Sequence, residues 1–185
     1  VTLLIIAPML TFMLAALPWL IPLLYSGKFT PVTGMAQAAV LGMYARAVLL
    51  PITYITLAKS HSTAFLVTEG LSAAALIVFT FCCFGRWGLT GAGVALMLAN
   101  VFDMLVIYLY ARIRYRYRLS RQAVIYSILH FSIGAAAYMA TFAATTTLRI
   151  TLGLATFLAS MAVSLYAIQK NTSLLERIKQ KLHKK

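Results

Sequence analysis

Residues 85–121 join a glycine-rich turn, a long apolar run and a block of five arginines. A mostly apolar run of about 20 residues is long enough to cross a bilayer as a helix. Short, positively charged loops resist translocation, so the arginine end of such a span is expected to stay in the cytoplasm. We also expect the arginines to anchor the chain at the inner leaflet. They are Arg112, Arg114, Arg116, Arg118 and Arg121.

The composition of the whole chain is that of a membrane protein. Hydrophobic residues make up 62% of the 185 residues and charged residues only 10%, whereas soluble domains carry about 25% charged residues. In a soluble protein the net charge of +13 would suggest nucleic acid as a partner. Here the basic residues lie mainly between and after apolar runs, so we expect membrane lipids as partners and no nucleic acid.

Six apolar segments predict an all-α integral membrane protein with six transmembrane helices. The segments cover about 3–24, 34–57, 63–84, 91–111, 122–143 and 151–169, so residues 1–169 are expected to form one bundle. Residues 170–185 are expected to form a separate basic tail. Ser173 and Glu176 fit a capping box at the start of a short amphipathic helix on the inner leaflet. The alternative is a frayed tail that only orients the protein.

The basic residues of the loops predict the orientation. With the arginine block inside, twelve Lys and Arg fall on the inner side and three on the outer side, and Arg46 is left within a segment. This bias predicts that both ends of the chain lie in the cytoplasm. The absence of an initiator Met and of a basic stretch before the first apolar run suggests the C-terminal part of a longer protein.

Three charged residues lie inside apolar segments, where ionisable side chains are functional candidates. They are Arg46, Glu69 and Asp103. At the rise of an α-helix, Arg46 lies roughly 17 Å from the inner end of its segment, Asp103 roughly 12 Å and Glu69 roughly 9 Å. Small residues precede Arg46 and Asp103 at spacings of four, which predicts that both lie on packed faces and away from lipid. These small residues are Ala38 and Gly42 in one segment, and Gly91, Ala95 and Ala99 in the other.

Each of these charges has two interpretations. Arg46 either presents its guanidinium to an anionic substrate, whose phosphate oxygens match its fork of donors, or forms a structural ion pair with Asp103 or Glu69. Asp103 is either a site for a coupling proton or ion, or a structural partner. Glu69 is the weaker candidate for ion coupling, because near the inner interface it can pair with Lys59 or lipid headgroups.

Nothing in the chain predicts a catalytic centre. His61 and His130 have no second imidazole or carboxylate at metal-ligand spacing, and the adjacent Cys82 and Cys83 do not make a zinc site. No hydrolase, metalloprotease or phosphate-loop motif occurs in the sequence. We therefore expect no enzyme, no metal and no cofactor.

Four stretches resemble a known transporter family. They are 24–31 (LYSGKFTP), 51–59 (PITYITLAK), 68–69 (TE) and 88–95 (GLTGAGVA). In this order they resemble the bacterial polysaccharide, or O-antigen type oligosaccharide, flippases of the multidrug/oligosaccharidyl-lipid/polysaccharide transporter superfamily. The resemblance covers most of the chain, which would correspond to the C-terminal half of such a protein.

The resemblance implies a two-lobed transporter of roughly 12 to 14 helices around a cavity. Such a protein moves undecaprenyl-pyrophosphate-linked oligosaccharide across the bacterial inner membrane by alternating access, for assembly of surface polysaccharides such as lipopolysaccharide. Its partners would be that lipid-linked glycan and the N-terminal lobe of the same protein, and Arg46 would hold the pyrophosphate. The alternatives are a drug or cation antiporter of the same superfamily and a non-catalytic membrane scaffold.

Overall fold

The computed structural model describes residues 2–25, 27–58, 62–143 and 145–182. Within these ranges the chain forms five long helices and a short 3-10 turn, with no strand. They are α1 Thr2–Tyr25, the 3-10 turn Gly27–Phe29, α2 Val32–Ala58, α3 Ser62–Tyr115, α4 Arg121–Ala140 and α5 Thr146–Leu182. Each long helix contains a stretch long and apolar enough to cross a membrane, with mean hydropathy from 1.4 in α2 to 2.2 in α1. The chain is thus consistent with an all-α membrane protein.

The structure corrects the predicted boundary between the third and fourth segments. Residues 85–90, expected as a loop, belong to the 54-residue helix α3, so five long helices are observed where six segments were predicted. Inside α3 the dihedral angles leave the helical region at Gly88, with φ 55° and ψ −134°. Only glycine adopts such angles readily, because it has no Cβ. The chain therefore turns at a single residue and needs no loop.

At Gly88 the helix folds back on itself. We call residues 62–87 α3a and residues 89–115 α3b. The Ser72 hydroxyl donates to the Asp103 carboxylate, and the rings of Phe79 and Phe102 meet edge-on with centroids 6.2 Å apart. From the first pair to the second, the residue number rises in α3a and falls in α3b. The two halves of α3 therefore lie antiparallel.

Small residues let α2 pack closely against α3b. A Cβ added at Gly42 would lie 2.7 Å from the Met97 Cα, and one added at Gly93 would meet the Met35 carbonyl group. Small residues at helix contacts are typical of membrane proteins, because they allow backbones to approach. Further along, Leu49, Ile52, Ile107 and Ala111 form a buried cluster, so α2 and α3b run in the same direction.

Helix α1 joins the two parts of the bundle, since it contacts α2, α4 and α5. Its buried residues Ala7 and Leu14 pack with Leu41, Tyr44 and Ala137. It also contains three prolines, Pro8, Pro18 and Pro22, each of which removes a main-chain donor. The Leu14 carbonyl, which Pro18 leaves without its helical donor, accepts a bond from the Gln37 side chain. A neighbouring helix therefore replaces one of the hydrogen bonds that the prolines remove. Membrane helices require such replacement, because no water is present in the bilayer core to bond the free carbonyl groups.

Helices α4 and α5 form an antiparallel hairpin that closes the bundle. Ser120 caps α4 by accepting from the Ala123 amide, and His130 contacts Ser164 across the hairpin. Helix α5 continues unbroken to Leu182, although its apolar span ends at Lys170. The predicted tail therefore shares a helix with the sixth segment, while the last part of that tail, 183–185, lies outside the described residues.

Candidate functional site

Arg46 lies well inside α2 and its side chain is exposed on the surface of the bundle. Its neighbours Ala45 and Ala47 are buried, at 6% and 2% exposure. The prediction that Arg46 shares a packed face with Ala38 and Gly42 is wrong for Arg46, although both small residues are buried. The reason is geometric: a step of four residues advances about 40° around a helix, so two steps carry Arg46 to the edge of the face.

Asp103 lies at the same level of the bundle as Arg46 but on a different surface. On α2, Arg46 lies between Gly42, which contacts Met97 of α3b, and Leu49, which packs with Ile107 of α3b. Asp103 lies between Met97 and Ile107 on α3b. Asp103 instead faces α3a, where its carboxylate accepts the bond from Ser72 and is only 4% exposed. In the part of the chain that the structure describes, no ion pair joins Arg46 to Asp103.

The small-residue stripe that leads to Asp103 is buried as its spacing predicts. Gly91 lies against Cys83, and Ala95 and Ala99 are 0% and 6% exposed. Gly91 and Asp103, the two ends of this stripe, contact α3a, whereas Gly93 and Met97 contact α2. The arrangement makes Asp103 part of the α3a–α3b contact and leaves Arg46 without a carboxylate partner among the described residues.

Glu69 is half-buried on α3a, one turn before Ser72. Among the described residues Glu69 forms no ion pair. Lys59, the partner considered for it, lies outside the described residues. The role of Glu69 in ion coupling or helix packing stays a prediction, as does that of Asp103.

Two buried sets of hydrogen-bonded polar side chains, one around His130 and one around Thr11, were not predicted from the sequence. His130 is 0% exposed; its Nδ1 lies 2.9 Å from the Tyr126 carbonyl oxygen and its Nε2 3.0 Å from Ser164 Oγ. In α1, Thr11 Oγ1 donates to the Ala7 carbonyl at 2.8 Å and lies 2.8 Å from the Tyr44 hydroxyl. The signal for the first group was present in the sequence: Ser160 and Ser164 lie four residues apart, and both are buried on the face of α5 toward α4.

The arginine block is exposed at the end of α3b and in the segment that follows. Arg112, Arg116 and Arg118 line one open cleft of about 360 Å³, whereas Arg114 and Arg121 are exposed outside its lining. Arg116 has a φ of 51°, in the left-handed region that costs a non-glycine residue about 1–2 kcal/mol. The Tyr117 amide donates to the Ala111 carbonyl at 3.2 Å and holds this turn.

Another cavity lies close to the arginine block. It has a volume of about 230 Å³ and lies at the same end of the bundle as the arginines, between Thr2, Pro51, Tyr117 and Tyr126. Among the described residues, no three His, Cys, Asp or Glu side chains come together as metal ligands would.

A scan against family models, a search of curated proteins and a search of solved structures each found no match to this chain. The family resemblance of residues 24–31, 51–59, 68–69 and 88–95 therefore stays a prediction from sequence.

Proposed function

We propose that the chain is the C-terminal lobe of a transporter that flips lipid-linked oligosaccharide across the bacterial inner membrane. The observation that carries the proposal is the exposure of Arg46 well inside an apolar helix. It is joined by the family resemblance of the four sequence stretches. The role is transport, with no catalytic step in this chain.

An arginine in the middle of a membrane span does not face lipid stably. Such residues face a bundle interior or a water-filled cavity, because a guanidinium in hydrocarbon costs from about 2.5 to above 10 kcal/mol. Arg46 is exposed on this bundle, and Met43 and Tyr54 are exposed along the same side of α2 at 37% and 64%. This side of α2 therefore forms a wall of an aqueous cavity, and the missing lobe supplies the opposite wall.

The chemistry of Arg46 suits an anionic cargo. Its guanidinium offers a planar fork of donors that matches the oxygens of a phosphate group. Because no described carboxylate pairs with it, the fork remains available to a ligand in the cavity. A pyrophosphate that links a lipid to a glycan is such a ligand.

The topology proposed for this lobe has six spans. The fold-back at Gly88 makes α3a and α3b two antiparallel spans, and each of the other long helices supplies one. With six spans, the positive charges of the loops favour both ends in the cytoplasm. Pro18, Pro22 and Pro51 are positions at which helices of a rocking lobe can bend.

The test is export by the full-length protein in cells that lack their own copy of the gene. We expect Arg46→Ala to abolish surface glycan while protein abundance in the membrane is unchanged, and Arg46→Lys to restore part of the export. Leu105→Ala is the control, because Leu105 is exposed at 57% on α3b, outside this side of α2, and carries no charge. Normal export by Arg46→Ala, or by a strain without the protein, would contradict the proposal.

A further inference from the structure

We propose that Arg112, Arg116 and Arg118 form a binding site for the phosphate of an anionic phospholipid in the leaflet at that end of the bundle. This site is separate from Arg46 and does not depend on the proposed transport. It selects three of the five arginines, whereas a diffuse attraction would use all five alike.

The first argument is the convergence of the three side chains. They come from the last turns of α3b and from the extended segment after it, and together they line the cleft of about 360 Å³. Arginine donates through a planar fork, so several guanidinium groups around one cleft can satisfy the oxygens of a single phosphate. Arg114 and Arg121 are exposed too but do not line the cleft.

The second argument is that the backbone holds the arginines in place. From 115 to 119 the chain alternates between partly buried and exposed residues, with Arg116 and Arg118 exposed. Tyr115, Tyr117 and Leu119 pack against the buried cluster of α2 and α3b. Core packing and the left-handed turn at Arg116 thus fix the backbone from which the two arginine side chains extend.

The third argument identifies the source of the phosphate. The apolar span of α3 ends at Tyr115, so the cleft lies where the membrane core gives way to the headgroup layer. Phospholipid phosphates occupy this level, and basic pockets at membrane surfaces bind such headgroups. A lipid is therefore the expected occupant, and a soluble phosphate ion is the competing source.

The experiment measures phosphatidylglycerol binding to the purified full-length protein by native mass spectrometry. It compares Arg116→Gln/Arg118→Gln with Arg114→Gln/Arg121→Gln, which remove the same charge. We expect the first pair to raise the dissociation constant at least about tenfold more than the second, because only the first removes cleft donors. Equal weakening would mean diffuse attraction and would overturn the site.

Two further measurements keep the outcome clear if a variant is poorly folded. Tyr117→Ala retains all five arginines and is expected to weaken binding, since it removes the packing that positions them; native affinity in this variant would contradict a preformed site. Inorganic phosphate and phosphatidylcholine are expected not to displace phosphatidylglycerol. Displacement by inorganic phosphate at equal concentration would assign the site to soluble phosphate and overturn the lipid.

Discussion

The side-chain amide of Gln37 donates to the main-chain carbonyl of Leu14 at 3.5 Å. In an unbroken helix that carbonyl would accept from residue 18, which here is a proline. Gln37 is 4% exposed, so no solvent replaces the bond. One residue of α2 thus compensates for a missing main-chain donor in α1.

This relationship predicts that Gln37→Leu destabilises the bundle by about 0.6–2 kcal/mol, the range found for hydrogen bonds between membrane helices. The measurement is unfolding by sodium dodecyl sulfate in mixed micelles. In a Pro18→Ala background the Leu14 carbonyl regains its helical donor, so the same change is expected to have a smaller effect. Equal effects in both backgrounds would mean that the bond contributes nothing.

Gly42 and Gly70 are expected to respond to alanine with opposite signs. A Cβ at Gly42 would lie 2.7 Å from the Met97 Cα, whereas one at Gly70 meets nothing within 4 Å. We expect Gly42→Ala to destabilise the fold by about 1–3 kcal/mol through overpacking, and Gly70→Ala to stabilise it by up to about 1 kcal/mol. The micelle assay measures both, and a tolerated Gly42→Ala would contradict the close approach of α2 and α3b.

Gly88→Ala is expected to weaken the fold-back of α3 by about 1–3 kcal/mol, because alanine does not adopt φ 55° and ψ −134° without strain. Space is not the cause, since nothing lies within 4 Å of an added Cβ. The readout is chemical crosslinking between cysteines introduced at Phe79 and Phe102, with Cys82 and Cys83 replaced by serine. Gly85→Ala, also in open space, is the control and should crosslink normally.

Ser164→Ala is expected to destabilise the α4–α5 hairpin by about 1 kcal/mol, because it removes the side-chain hydroxyl that lies 3.0 Å from the buried His130 Nε2. Ser132→Ala serves as the control, since the exposed Ser132 hydroxyl donates within its own helix to the Ile128 carbonyl. Micelle unfolding compares the two variants. A loss of equal size in both would mean that the contact across the hairpin is unimportant.

The sequence was sufficient to predict helices and their apolar spans, because these depend on composition and local pattern. It also predicted the buried stripe before Asp103, where small residues at regular spacing mark a contact. It did not predict the exposure of Arg46, since a spacing of four drifts around the helix, nor the single-residue turn at Gly88. The contact between His130 and Ser164 was missed because it joins two helices whose relative rotation depends on packing.

The position of α1 has a consequence for how the protein is made. Helix α1 contacts α5 directly. The ring centroids of Phe12 in α1 and Phe157 in α5 are 5.5 Å apart, and Ala15 of α1 lies against Gly153 of α5. During synthesis α1 enters the membrane long before α5 leaves the ribosome. Its α5-facing surface must therefore stay covered by lipid, the translocon or a chaperone until α5 arrives. Completion of the bundle is then a late event, and a stalled chain presents the unfilled side of α1 to the quality-control machinery.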